Sequence, residues 1–315
     1  NTNSLNVTSQ VTVAAWVKSN SDGRYIVASD GMVRMNDTFS PDAHTETNTV
    51  DGYINHGTNN QDWSTKRDAA SGSEPADSES LLWVMLQSCA GENLYCGLSR
   101  AGFLFDTADI SDDATISAAT IGLVGDSKTA TWTTEQSLTI VSFTPPIETN
   151  VVGGDYNDFG TTHYSNDIAM SSLTADQATY QVFTLNSNGI AAIDKTGISK
   201  YGIRIVADAD DAEPTWEESV IDTISWESAE EVVSGDKSPK LVVNYTVPIF
   251  PFALNTTNGG SFQIANGTIF NVTDNDGDIN DGQWHYIVGT YDGTTMSLYV
   301  DGLLKGESTD YSGDL

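Results

Sequence analysis

The sequence predicts an all-β fold of the sandwich type, and three observations carry that prediction. Apolar and polar residues alternate through many short runs, as half-buried strands require. Gly, Asp, Ser and Thr cluster between those runs, where chain reversals need residues that tolerate turn geometry. Helical character is confined to one short stretch, residues 188–194.

Taken in order, residues 4–8 and 10–18 open the chain as strands, with Val11, Val13, Ala15 and Val17 on one face of the second. Ser21-Asp-Gly23 turns the chain into a strand at 24–28. After Asp30-Gly31 the pattern changes, and residues 39–53 begin a new unit. Its predicted strands cover 80–86, 101–106, 119–125, 137–143, 180–185, 202–207, 223–227 and 240–245, a number and spacing that suit a sandwich rather than a βαβ sheet. Pro248 and Pro251 mark a linker, after which alternating runs occupy 252–255, 261–264 and 268–272. A hairpin closes the series. Trp284, Tyr286 and Val288 share one face of its first strand, and Met296, Leu298 and Val300 share one face of its second. Asp292-Gly293 separates the two, and Asp301-Gly302 comes after the second. Such a hairpin has an apolar face to cover and needs further strands.

The chain has 315 residues and a hydrophobic fraction of 38%, enough for two packed domains. Acidic residues number 44 against 13 basic ones, a net charge of −31, which excludes nucleic acid as a partner for the surface as a whole. The acidity is that of a solvated surface, with adaptation to high salt or divalent cations as the alternative. No apolar run approaches the ~18 residues of a membrane span. The opening Asn-Thr-Asn has no charged-then-apolar leader, as expected of a processed chain or of a segment of something longer. Cys89 and Cys96, with six residues between them, lack zinc-ligand and redox spacing. A local disulfide is the preferred reading, with an oxidising, extracellular or cell-surface compartment as its corollary, and two buried thiols are the alternative.

The two flanks together resemble one laminin G-like, or concanavalin A-like lectin/glucanase, jelly roll. Ser4-Leu-Asn-Val, Val11-Thr-Val-Ala-Ala-Trp-Val-Lys18 and Arg24-Tyr-Ile-Val27 are similar to its early strands. Phe252-Ala-Leu-Asn255, Ser261-Phe-Gln-Ile264 and above all Asp281-Gly-Gln-Trp-His285 through Leu298-Tyr-Val-Asp-Gly302 are similar to its later strands. The resemblance implies that residues 1–36 and 248–315 are two parts of one domain and that 37–247 is inserted in a surface loop of it, which closely spaced domain ends permit. The inserted unit resembles the DNRLRE (disaggregatase-related) β-sandwiches of surface and secreted proteins. That likeness rests on Asp51-Gly-Tyr-Ile54, Arg100-Ala-Gly-Phe-Leu-Phe-Asp106 with Ala114-Thr-Ile-Ser-Ala-Ala-Thr-Ile121, and Ser238-Pro-Lys-Leu-Val-Val-Asn-Tyr-Thr246. Family members usually carry a further strand before and more strands after the jelly-roll segments present here. The expected jelly roll is therefore incomplete at both ends, by truncation or because another chain completes its edges.

The resemblance implies carbohydrate recognition, and the residues do not support catalysis. The Glu-x-Asp-x-x-Glu run of retaining glucanases is absent from the flanks, and the acids beside Trp216 and Trp226 are expected on solvated faces. Sugar binding calls for an exposed aromatic face flanked by amides and carboxylates. Trp63, Trp132 and Trp216 lie in polar, loop-like stretches and are the expected contacts; Trp16, Trp83 and Trp284 lie in strand-like runs and are expected in the core. Asp274, Asp276 and Asp278 alternate around a glycine as a hard cation requires, so Ca2+ is the candidate cofactor there, a polar turn being the preferred reading. Asp208, Asp210 and Asp211 form a weaker acidic cluster, and His44, His56, His163 and His285 show no ligand spacing. The expected function is non-catalytic extracellular recognition or adhesion, with a glycan or cell-surface polysaccharide as partner. The alternatives are a structural subunit that pairs with other copies through its sheet edges, and ancillary domains of a large secreted glycoside hydrolase.

Overall fold

A computed structural model describes residues 10–19, 25–28, 31–57, 60–231, 237–249, 252–256, 259–265, 268–274 and 278–312. The expected strand at 4–8 and the turn at 21–23 lie outside these residues. The protein is all-β. In chain order the elements are β1 (Val11–Lys18), β2 (Tyr25–Ala28), β3 (Gly31–Phe39), β4 (Asp51–Asn55), α1 (Trp63–Arg67), β5 (Glu74–Ala76), β6 (Leu81–Ser88), β7 (Tyr95–Asp106), β8 (Thr115–Ala130), β9 (Ser137–Ser142) and β10 (Ile168–Ala169). They continue with β11 (Tyr180–Thr184), α2 (Ser187–Ala191), β12 (Ile198–Ile205), α3 (Val206–Ala209), β13 (Ile221–Glu227), β14 (Lys240–Ile249), β15 (Phe252–Asn255), β16 (Ser261–Ala265), β17 (Ile269–Thr273), β18 (Trp284–Tyr291), β19 (Met296–Val300) and β20 (Leu303–Ser308). The single expected helix corresponds to α2; α1 and α3, a turn or so each, were not anticipated, because so short a helix has no apolar period to display.

The chain divides into two compact units, one formed by Asn1–Arg34 with Thr246–Leu315, the other by Met35–Tyr245. The first is a jelly-roll-type sandwich of two four-stranded antiparallel sheets, ordered β1-β18-β19-β20 and β17-β16-β15-β2. In the first sheet Val11 pairs with Tyr291, Val13 with Gly289 and Trp16 with Tyr286. Strand parity sends Val11, Val13, Ile287, Tyr291, Met296, Leu298 and Val300 inward, against Leu254, Phe262, Ile264 and Val272 of the second sheet. Gly289 is the close approach of the two layers: a Cβ there would lie 2.3 Å from the Phe262 ring. Burying a ring such as Phe262 contributes about 1.5–3 kcal/mol, which is what a side chain at 289 would put at risk.

The same parity corrects the reading of the hairpin. Trp284 and Tyr286 do share a face, but it is the outer one, and Ile287, Gly289 and Tyr291 are the residues of β18 that meet the core. Trp16, expected in the core, is 64% exposed and Trp284 is 63% exposed. Trp83 is half-buried. Size gave way to alternation: the inward positions of β1 and β18 were already filled, so the tryptophans point out.

The second unit is a curled sheet ordered β10-β9-β12-β7-β6-β13-β8-β14-β3, with β11 on β8, and β4 on β7 carrying β5. One of its cores gathers Val50, Ile54, Leu104, Val141, Phe143, Tyr156 and Phe159. Beneath it Asp208 receives Arg100 Nε at 2.9 Å and Arg204 Nε at 2.7 Å, with both guanidinium forks closed by second bonds. Burial alone would raise this carboxyl, but the two guanidinium groups outweigh it and hold it far below the usual range. Each acid of the 208–211 cluster has a basic partner. Asp208 belongs to the arginines, Asp210 Oδ1 lies 2.8 Å from His163 Nε2, and Asp211 Oδ1 lies 3.4 Å from Arg67 Nε.

Candidate functional site

Within the second unit, a cleft of about 510 Å³ is lined by Asp62, Trp63, Ser64, Asn93, Glu213, Pro214, Thr215 and Trp216. Four local features build it. Asp62 caps α1, its carboxylate accepting the Thr65 N–H at 2.8 Å and the Ser64 hydroxyl at 3.0 Å, and these bonds keep it ionised. Cys89 and Cys96 form a disulfide that closes a short loop between β6 and β7. Inside that loop the Cys89 N–H donates to the Leu94 carbonyl at 2.9 Å, and Asn93 takes a positive φ of 58°, which an Asn tolerates better than most residues. The Trp216 indole N–H donates to that same Leu94 carbonyl at 3.3 Å, so the disulfide loop fixes the edge of a half-buried ring.

Below the cleft lies an aromatic stack. Tyr95, fully buried, packs between Trp63 at 5.3 Å and Trp132 at 6.4 Å, ring centre to ring centre. Its hydroxyl donates to the Pro214 carbonyl at 3.2 Å and to Glu213 at 3.3 Å. Burial and the neighbouring Glu213 push the phenol well up, so it remains a donor. The segment 213–217 is tied on its other side by the Glu217 carboxylate, which accepts the Thr133 N–H at 2.9 Å. Lys66, on the inner side of α1, donates to the His56 carbonyl at 3.0 Å; burial lowers its pKa to about 8.

The three tryptophans expected to contact sugar are thus drawn to one place, but not as three exposed rings. Trp63 is 4% exposed and Trp132 7%, and Trp132 spends its indole N–H on the Leu86 carbonyl at 3.4 Å. They are packing residues, because loops folded over the end of a sandwich need filler and their polar sequence conceals it. Only Trp216 offers a ring face. Among the described residues the buried Trp63 indole N–H has no acceptor. Asp62, Asn93 and Glu213 were not anticipated, since only the fold brings their three loops together.

The calcium stretch contributes less. Asp276 lies outside the described residues, Asp278 begins a short 3-10 turn, and the buried Asp274 carboxylate has Lys305 Nζ at 3.7 Å as a counter-charge. In the first unit, His285 bridges the hairpin, its Nε2 3.0 Å from Asp281 and its Nδ1 2.8 Å from Asp301. These bonds raise its pKa, the one to Asp281 foremost.

Among known families, the concanavalin A-like lectin/glucanases superfamily matches this chain over residues 223–315, from β13 to the end. No curated protein matches the chain in sequence. The superfamily likeness agrees with the jelly-roll sandwich of the first unit and is compatible with a carbohydrate-binding role.

Proposed function

We propose that this chain is a non-catalytic, extracellular glycan-recognition segment and that the cleft beside Trp216 receives a sugar. The observation that carries the reading is a half-exposed, edge-fixed indole in a cleft rimmed by Asp62, Asn93 and Glu213. A pyranose offers what such a cleft needs: an apolar C–H face to stack on Trp216 and hydroxyls to donate to the carboxylates. The superfamily match over residues 223–315, outside the cleft itself, supports carbohydrate recognition by the chain, and the disulfide supports an extracellular setting. Asp62 is committed to a helix cap as a carboxylate, which suits recognition better than proton donation. A glycan array with wild type and Trp216→Ala tests this. Binding to at least one polysaccharide that falls tenfold or more in the variant is expected; no binding to any glycan defeats the reading, and hydrolysis of a polysaccharide by this chain alone defeats its non-catalytic part.

A second reading, a structural subunit that associates with its own copies, has one specific observation behind it. The outer face of the β1-β18-β19-β20 sheet exposes Trp16, Trp284 and Leu304, with Leu303 beside them on β20, an edge strand. Concentration-dependent sedimentation that Trp284→Gln abolishes would favour it.

A further inference from the structure

A second cluster of titratable groups lies in the same unit, apart from the cleft. The loop between β3 and β4 carries His44 and Glu46, and the segment after β5 carries Asp77; one ligand-capable atom from each lies within 4.8 Å of the other two. The loop is held in place by Asp42, whose Oδ2 accepts the N–H groups of Thr47 at 3.0 Å and Asn48 at 2.7 Å. The Glu46 side chain is only 4% exposed, and among the described residues its carboxylate meets just one partner, His44 Nδ1 at 3.0 Å, itself a member of the trio.

Two further acids stand behind the trio. Asp51, at the start of β4, is fully buried and accepts the Ala229 N–H at 3.0 Å with one oxygen, while its Oδ1 has no partner among the described residues. Glu230 accepts the His44 backbone N–H at 3.1 Å through Oε1, and its buried Oε2 likewise has no partner among the described residues. Among the described residues no lysine or arginine pairs with any of these four carboxylates. Buried negative charge without a counter-charge is costly, and Asp208 in the same unit shows the alternative, two arginines closing on one carboxylate.

We propose that His44, Glu46 and Asp77 bind a divalent transition-metal ion, with Asp51 and Glu230 supplying negative charge behind it. An imidazole among carboxylates favours an ion of the Mn2+ or Zn2+ kind over Ca2+, which prefers an all-oxygen shell. The mutual spacing of the three ligand-capable atoms is compatible with one ion between them. Calorimetric titration of the chelator-treated full chain with MnCl2 and with ZnCl2 tests this, alongside CaCl2 and melting curves. A saturable single site and a raised Tm with Mn2+ or Zn2+ are expected, with affinity at least tenfold weaker in His44→Gln and in Asp77→Asn. In chelator, Asp77→Asn is expected to melt no lower than wild type, since it relieves repulsion, so its loss of binding cannot be ascribed to misfolding. Absence of binding by all three ions overturns the proposal, as does binding unchanged in both variants. A Ca2+ response that His44→Gln leaves intact, with none to Mn2+ or Zn2+, overturns the metal class and the imidazole ligand.

Discussion

The tryptophans of the two units have exchanged the places their neighbours in sequence would assign them. In the inserted unit, Trp63 and Trp132 sit in polar stretches and are buried around Tyr95. In the jelly-roll unit, Trp16 and Trp284 sit in apolar strands and face solvent, Trp16 resting 5.2 Å from Tyr286. A different variable sets burial in each context. Along a strand it is parity: a ring one residue out of phase with Val11, Val13 and Val17 lies outside whatever its size. In loops it is the demand of the space they fold over, and no period announces that.

The largest effect expected from this contrast is at Trp63. Trp63→Ala removes a buried ring packed on Tyr95, so a loss of about 3–5 kcal/mol in denaturant unfolding is expected. A loss below about 1 kcal/mol, the level of a surface site, would mean that Trp63 is a ligand contact rather than a packing residue. Trp216→Ala comes next. It gives up one hydrogen bond and a half-buried face, for about 1 kcal/mol of stability, while its effect on glycan affinity is expected to be tenfold or more. The ratio of binding loss to stability loss should therefore be high at Trp216 and low at Trp63, and a reversed ratio would break the assignment of roles within the cleft.

How much of the molecule is legible in its sequence depends on the kind of signal. The all-β class and the strands β6, β9, β11 and β13 were legible within a residue or two, because alternation and turn residues are local. β7 and β8 run longer at one or both ends than their apolar cores indicated, since neighbouring strands on both sides extend a strand past its own pattern. The convergence of Trp63, Trp132 and Trp216 was only half legible: the residues were singled out, but which of them shows a face depends on Tyr95, Leu94 and Glu213, far apart in sequence from some of their partners. The acid cluster around Glu46 was missed altogether. His44-x-Glu46 is a local hint at most, and Asp51, Asp77 and Glu230 join it only through sheet pairing.

A smaller effect separates the units by pH. His285 bridges Asp281 and Asp301, and its pKa in the folded chain is raised above the ordinary 6.5. A raised folded value means that the bridge contributes fully below about pH 6.5 and that the contribution is lost as the pH rises through the folded pKa. Melting of the wild type is expected to show a shallow decline across that interval, worth less than ~1 kcal/mol for so accessible a set of carboxylates, and His285→Gln should flatten it. An unchanged slope in the variant would assign the pH dependence elsewhere, the acids around Asp51 being the first place to look.

The smallest expected effect is at Trp284, and it is the most discriminating. With the ring 63% exposed on the outer face of β18, Trp284→Gln should alter stability by no more than about 0.5 kcal/mol. The same substitution in Trp16 should cost slightly more, since its ring also packs against Tyr286. A chain that stays monomeric with unchanged stability and unchanged glycan binding would leave these rings as the solvent side of an alternating strand and nothing more. A fall of about 2 kcal/mol or more, the magnitude of a core truncation, could arise only if something covers the face in solution. Sedimentation at two concentrations would then decide between a second copy of the chain and a ligand, because only self-association makes the melting temperature depend on protein concentration.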